Sequence, residues 1–267
     1  MSALCAVLAL AVQTGAGAGP PSAAPPAHDR ETVLAFRIVE LTNRERANAG
    51  LPPLKAADLL MKAAAGHAAD MAARHYFSHT DQRGGGPEDR ISAAGYRGSV
   101  FGENIAEGST TPEGVLRMWM NSPGHRANIL SREFREVGVG HAAAAGQPDL
   151  WVETLGFRDG FPLIINNDAL TTTSSRVRLY IYGQGIVSSM RFSCDGVSYS
   201  APEAYTPERD FQLPPGTGRR TVYVELRDAQ GRTATTWDMI EVIDEPRPEP
   251  APARPPRGAS GSDRHRG

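Results

Sequence analysis

The sequence predicts an α+β protein in two parts: a layered helix-and-strand domain over about residues 29–158, then a small all-β sandwich over about 162–244. Three observations carry this expectation. Up to Asn121 the apolar residues recur mainly at helical spacing, and from Arg135 onward they alternate with a period of two. Beyond Pro162 no helical period returns, and Asp195-Gly196 and Gln230-Gly231 mark turns between alternating runs.

Each element follows in order. Asp29 reads as the N-cap of a helix through Ala49, with Val33, Leu34, Ile38 and Leu41 on one face. Gly50 ends it and Pro52-Pro53 prevents continuation. A second helix from Asp58 to His75 is rich in alanine, whose small side chains permit close packing on a neighbouring element. "PEDRISAAG" gives a short helix stopped at Gly95, and Thr111 caps a fourth that opens with Pro112 and runs to Asn121. In "MNSPGHRANIL" Ser122 caps a further short helix, Pro123 takes its first position, and Gly124 is read as allowing close backbone approach. "REVGVGHA" and "LWVETLGF" are strands joined by the turn at residues 146–149, and "VFGENIAEG" reads as another strand or a strand-loop. In the second part "RVRLYIYG", "SMRFSCDGVSYS", "RTVYVELRDAQGRT" and "WDMIEVI" form the sandwich, with Val177, Leu179 and Ile181 on one face and Val222, Val224 and Leu226 on another.

The two ends carry little to bury. Residues 1–28 read as a signal-like leader and linker, an apolar run "SALCAVLALAV" followed by small residues, without a basic start. Residues 245–267 are rich in Pro and charge and read as a disordered tail. The leader predicts export, and its cleavage would remove Cys5 and leave Cys194 without an intramolecular partner, hence no disulfide. No apolar run approaches the ~20 residues of a transmembrane helix. A formal net charge of -2 gives no reason to expect nucleic acid as a partner.

Four stretches concentrate polar side chains where the backbone turns. "HYFSHT" carries His75 and His79, "FGENIA" carries Glu103 and Asn104, "SPGHRANIL" supplies His125, and "LWVETLG" sets Glu153 on the last strand. Two histidines and a carboxylate could form a His₂Glu metal site or an acid–base pair. Each could equally serve the fold, Glu103 and Asn104 by satisfying turn amides and His125 by capping or packing under Trp119. His67 is assigned to local pairing on its helix with Asp70 and Arg74, and His141 faces either a cavity or solvent. Ser78 and Ser122 lack a nucleophile-elbow pattern, which argues against a serine hydrolase.

Taken in order, "LTNRERANAGLPPL", "HAADMAARHYFSH", "GENIA", "VLRMWMNSPGHRANIL" and "FREVGVG" resemble the bacterial branch of the CAP superfamily, the SCP-like domains related to cysteine-rich secretory, antigen-type and pathogenesis-related proteins. The resemblance covers roughly residues 33–157. It implies an α-β-α sandwich around an antiparallel sheet, an extracytoplasmic location, and a cavity of two histidines and two glutamates able to take a divalent cation. Carried over residue by residue, it gives His79, Glu103 and, on the bacterial pattern, His125. The second glutamate falls near Ser122 and is missing, while Glu153 is expected to return a carboxylate to the cavity. On this basis His79, His125 and Glu103 are the metal-ligand candidates, for Zn or Ca, with no cofactor required. The second part resembles Ig-like or fibronectin-like modules of bacterial exported proteins, with "TVYVELRDAQG" as the cue.

The function expected from these readings is a secreted binding protein for a small apolar, lipid or cell-surface ligand in the His/Glu-lined cavity. The rival is a metal-assisted, protease-like hydrolase using Glu103 with His79 or His125, and a further alternative is a structural or adhesive envelope protein. No catalytic residue is assigned.

Overall fold

The computed structural model describes residues 28–245. The predicted leader and tail, Cys5 included, lie outside the described residues, apart from the last residue of one and the first of the other. The first domain contains α1 (Arg30–Asn48), β1 (Lys55–Ala56), α2 (Asp58–Arg74), α3 (Pro87–Ala94), β2 (Val100–Glu107), α4 (Pro112–Asn121), α5 (Pro123–Ile129), β3 (Glu136–Ala142) and β4 (Leu150–Phe157). Its sheet runs β1-β3-β4-β2 and is antiparallel except for the short β1, which pairs parallel with β3. The expected caps are present at two helices: Asp29 accepts from the Thr32 amide at 2.7 Å, and Thr111 from the Gly114 amide at 3.2 Å.

Side-chain alternation divides the two faces of this sheet. Val137, Val139, Trp151 and Leu155 turn toward α1 and α4, where they join Ile38, Leu41 and Trp119 in the main core. Ile105, Leu150 and Val152 turn the other way and meet Ala64, Ala68 and Met71 of α2. The result is the expected layering of helix, sheet and helix.

Glycines set the spacing on the α2 side. A Cβ at Gly138 would lie 2.0 Å from the Leu60 carbonyl carbon, and one at Gly140 would lie 2.3 Å from that of Ala64. The helix backbone therefore rests directly on the strand backbone, and the alanines of α2 leave room for the approach.

The second domain places β10-β7-β5 opposite β6-β12-β11-β8-β9, where β5 is Leu163–Ile165, β6 Thr171–Thr172, β7 Arg176–Ile181, β8 Val187–Ser193, β9 Glu203–Ala204, β10 Glu208–Gln212, β11 Gly218–Asp228 and β12 Thr233–Val242. Val177, Leu179, Ile181, Val222, Val224 and Leu226 share one buried core between the two sheets. Strands β5, β6, β9 and β10 have no counterpart in the sequence reading. They are short, or in the case of β10 almost wholly polar, and offer no period to read.

A buried ionic junction joins the domains. Lys55 of β1 bonds Asp168 at 2.6 Å and also Asp238 of β12. Asp168 ends a run of three residues with left-handed backbone, Asn166, Asn167 and Asp168, and also accepts from the Ala56 amide. Asn43 of α1 donates to the Asn167 carbonyl at 2.9 Å, and Tyr182 to that of Pro53 at 2.8 Å. Burial alone would pull the Lys55 pKa down, but the two carboxylates outweigh it and hold the ammonium well above its ordinary value.

Replacing Gly140 by alanine should cost at least about 2 kcal/mol, since overpacking forces two backbones apart. Chemical denaturation at fixed pH measures this, and a variant as stable as wild type would show that the α2–β3 contact can relax.

Candidate functional site

Helix α2 ends at His75, whose left-handed backbone (φ 57°) turns the chain and leaves its own side chain exposed. Four residues on, His79 comes to rest over Glu103 of β2, with its Nδ1 2.8 Å from Oε1. An ionised carboxylate only accepts, so Nδ1 carries the proton and donates, and in the neutral ring the Nε2 lone pair faces away from Glu103. The His79 side chain is 49% exposed and that of Glu103 only 3%.

Arg90 of α3 completes the pair. Its Nη2 lies 2.8 Å from Oε2 and 3.1 Å from Oε1 of Glu103, and it also donates to the His79 carbonyl at 3.0 Å. Beneath them, His67 donates from Nε2 to the Ser78 carbonyl at 3.0 Å, with the same nitrogen 4.0 Å from Glu103. Its Nδ1 is buried with no protein partner. Burial, and then the neighbouring Arg90, lower the His67 pKa and favour the neutral ring.

His125, in the first turn of α5, approaches from the open edge of β2. Its ring is partly buried, and burial, followed by the nearby His79, lowers its pKa. Backbone and side-chain bonds place it: Asn104 donates to the His125 carbonyl at 3.3 Å, while Asn128 donates to the Asn104 side chain at 2.9 Å and to the Glu103 carbonyl at 3.3 Å. Ser122 stands at the N-cap of α5 but its side chain makes no cap bond, and Gly124 has open space around it. Neither therefore performs the duty expected of it. Pro123 does occupy the first helical position.

Glu153 does not line this site. Glu103 pairs with Thr154 and Asn104 with Glu153 across β2 and β4, so the carboxylates of Glu103 and Glu153 project from opposite faces. Glu153 is fully buried on the α1 side and accepts from Thr42 at 2.7 Å and from Asn104 at 2.8 Å. Burial raises its pKa and these two hydrogen bonds oppose the shift. Period two along the strand already places Glu153 with Trp151, away from Val152 and Thr154. His141 faces neither a cavity nor solvent: its side chain is buried between Glu31 and Asp149, its ring centroid 4.1 Å from that of Trp151.

Two residues of the site escaped the sequence reading. Asp70 and Arg74 do pair, at 2.7 Å, but His67 stands apart from them and under Glu103. Its place on the buried stripe Leu60, Ala64, His67, Met71 was the available signal. Arg90 had none, because its partner Glu103 comes from another element.

Glu103 itself is closed to a divalent cation. Both Glu103 oxygens are held by a guanidinium that stays charged, and the nearest His79 nitrogen is turned into a donor toward the same carboxylate. Among the described residues no group of three or more His, Cys, Asp or Glu side chains is arranged to hold a metal ion.

Elsewhere, α1 and α4 flank an open groove of about 340 Å³, floored by Leu41, Leu116 and Met120 and edged by Arg44, Glu45, Glu113 and Arg117. No described helix is long and apolar enough to cross a membrane.

Residues 39–154 match the cysteine-rich secretory protein (CAP) family. Over 117 residues the chain is 41% identical to the uncharacterized protein YkwD of Bacillus subtilis, covering 44% of each chain. It is 33% identical over 110 residues to the uncharacterized membrane protein YlbC of the same organism, covering 41% of this chain and 32% of that one. The match thus spans less than half the length of either curated relative. Among solved structures, an extracellular protein containing an SCP domain from Bacillus anthracis is similar at 29% identity and TM-score 0.45, covering 51% of this chain and 45% of that one.

Substituting Glu153 by glutamine isolates its pH-dependent contribution. A raised folded-state pKa means that this carboxyl contributes stability below its unfolded value of 4.5, and the contribution is lost as pH rises through the folded value. Melting curves should therefore shift in favour of Glu153→Gln relative to wild type between about pH 4.5 and neutrality. Parallel pH profiles for the two proteins would contradict this.

Proposed function

From a chain that carries a CAP domain over residues 39–154, we propose an exported, extracytoplasmic binding protein, in which His79 and His125 present imidazole edges to a cell-surface ligand. What carries the reading is the half-exposed His79 held over buried Glu103, with its second nitrogen facing outward. Such an edge accepts a hydrogen bond from a hydroxyl or amide group. A hydrolase using Glu103 as base is less well supported, since Arg90 and His79 already occupy its carboxylate. The signal-like leader of the sequence agrees with export. The second domain is proposed to be an Ig-like spacer, joined through the Lys55 ion pairs.

An apolar ligand has a different place. The groove between α1 and α4 has an apolar floor, a charged rim and about 340 Å³, within the range of small-molecule sites. It suits an acyl chain better than the polar surface at His79 does.

Soluble peptidoglycan fragments and palmitate serve as separate probes for the two places. His79→Ala should weaken the fragments at least fivefold at an unchanged melting temperature and leave palmitate alone. Met120→Glu should do the reverse. Fragment binding equal in wild type and His79→Ala would remove the polar site from the function.

A further inference from the structure

We propose that Lys55 and Asp168 become joined by an isopeptide bond between Nζ and Cγ, with Asp238 carrying the protons, so that the two domains are covalently cross-linked. An amine and a carboxylate condense when they are held in contact and away from bulk water, and the interdomain junction does both. Nζ lies 2.6 Å from Asp168 Oδ1 and also bonds Asp238 Oδ1. The two carboxylate side chains are only 4% and 6% exposed. Reacting groups fixed in this way gain an effective concentration of roughly 10⁵–10⁸ M. The second oxygens separate the roles of the two aspartates. Asp168 Oδ2 accepts from the Ala56 amide, a backbone donor placed where negative charge gathers when Cγ is attacked. Asp238 Oδ2 accepts from the Ile165 amide at 2.8 Å and its Oδ1 from the Met239 amide at 2.8 Å, which fixes that carboxylate against Nζ.

The ammonium form of Lys55 is held by both carboxylates acting together, against its burial. Burial, with Asp168 beside it, pushes Asp238 up to about 6 against the pull of Lys55, so this carboxylate takes a proton more readily than an ordinary one. Once a proton has moved from Nζ to Asp238, one of the two charges that held the ammonium is gone, and burial favours the neutral amine. Its lone pair attacks Asp168 Cγ, the C–N bond forms and the Cγ–Oδ1 bond breaks. Of the three protons on Nζ, two leave with Oδ1 as water, relayed through Asp238, and the third stays on the amide nitrogen. Nothing is oxidised or reduced, and Asp238 ends as it began. An ammonium and a carboxylate disappear from the interior together, which removes the cost of keeping both out of water. The new amide keeps the bonds of the junction, its oxygen on the Ala56 amide and its N–H toward Asp238. The cross-link spans 113 positions of the chain and forms whether or not the His79 cleft holds a ligand.

A tryptic peptide map of the full chain, purified and kept for a day at neutral pH, tests this by mass spectrometry. Trypsin should fail to cut after Lys55, and the peptide carrying it should be recovered joined to the one carrying Asp168, lighter by one water than the two apart. Asp238→Asn leaves both reacting residues in place and should lower the joined fraction at least about tenfold, as expected for loss of a general acid–base. Lys55→Arg keeps the charge and should abolish joining. A wild-type map in which the Lys55 and Asp168 peptides appear separately at their full masses would overturn the proposal and leave the junction purely ionic. Joining of Lys55 to Asp238 instead, or an Asp238→Asn protein joined as fully as wild type, would overturn the assigned roles. Should a variant fail to fold, the wild-type map still decides, since an ion pair alone leaves both masses unchanged.

Discussion

Helix α2 touches strand β3 backbone to backbone, and the rest of the first domain is arranged around that contact. Gly138 and Gly140 have no side chain where one would collide with Leu60 and Ala64. Interiors pack at near-crystalline density, so a close approach of this kind fixes a helix in height as well as direction. With α2 held down, His67 is buried against the sheet in reach of Glu103, and the turn after Arg74 opens at a defined level. His79 then meets Glu103 because the chain from the end of α2 to His79 is short and His67 pins it through the Ser78 carbonyl. The glycine pair acts at a distance from the polar site, yet it sets the distances within it.

The sheet also separates two polar systems that the sequence places side by side. Glu103 and Asn104 are neighbours, but alternation sends Glu103 toward α2 and Asn104 toward α1. Glu103 joins His79, Arg90 and His67. Asn104 joins Glu153, Thr42, Asn128 and the backbone of His125. The "GENIA" stretch thus serves both: one residue orients the first imidazole and the next holds the helix that carries the second. Glu153 belongs to the supporting side. A fully buried carboxylate with two neutral donors and no cation in contact is costly to ionise, and here it ties α1 to β2.

The layers were legible because periodicity is local: mainly helical spacing up to Asn121, alternation from Arg135 onward, and caps at Asp29 and Thr111 that act within three residues. Parity along β4 also lay in the sequence, and it contradicts the assignment of Glu153 to the cavity, made from a family pattern. What could not be read is pairing between distant segments. Arg90 is one charged residue in the first turns of an amphipathic helix until β2 brings Glu103 beneath it. Lys55, in a two-residue strand, gave no hint of Asp168 and Asp238, which lie 113 and 183 residues further along. His67 looked paired with its helix neighbours, since i,i+3 and i,i+4 spacing is visible in sequence and burial against a loop is not.

The interdomain junction bears on what the site can reach. β1 and β2 are the two edges of the sheet, and the second domain grips the β1 edge while α5 and the imidazoles stand at the β2 edge. A sandwich attached by a flexible linker could swing over the cleft. This one is held by Lys55 between two buried aspartates, by Asn43 and Tyr182 on backbone carbonyls, and by three successive residues in a left-handed conformation that non-glycine residues adopt only under surrounding constraint. Burial and the neighbouring Asp168 carboxylate push Asp238 up to about 6 despite Lys55 beside it, so removing the ammonium would leave two adjacent buried carboxylates. The junction thus holds the second domain at the sheet edge opposite the imidazoles. Among the described residues, the elements bonded around His79 and His125 belong to the first domain, α3 and β2 among them.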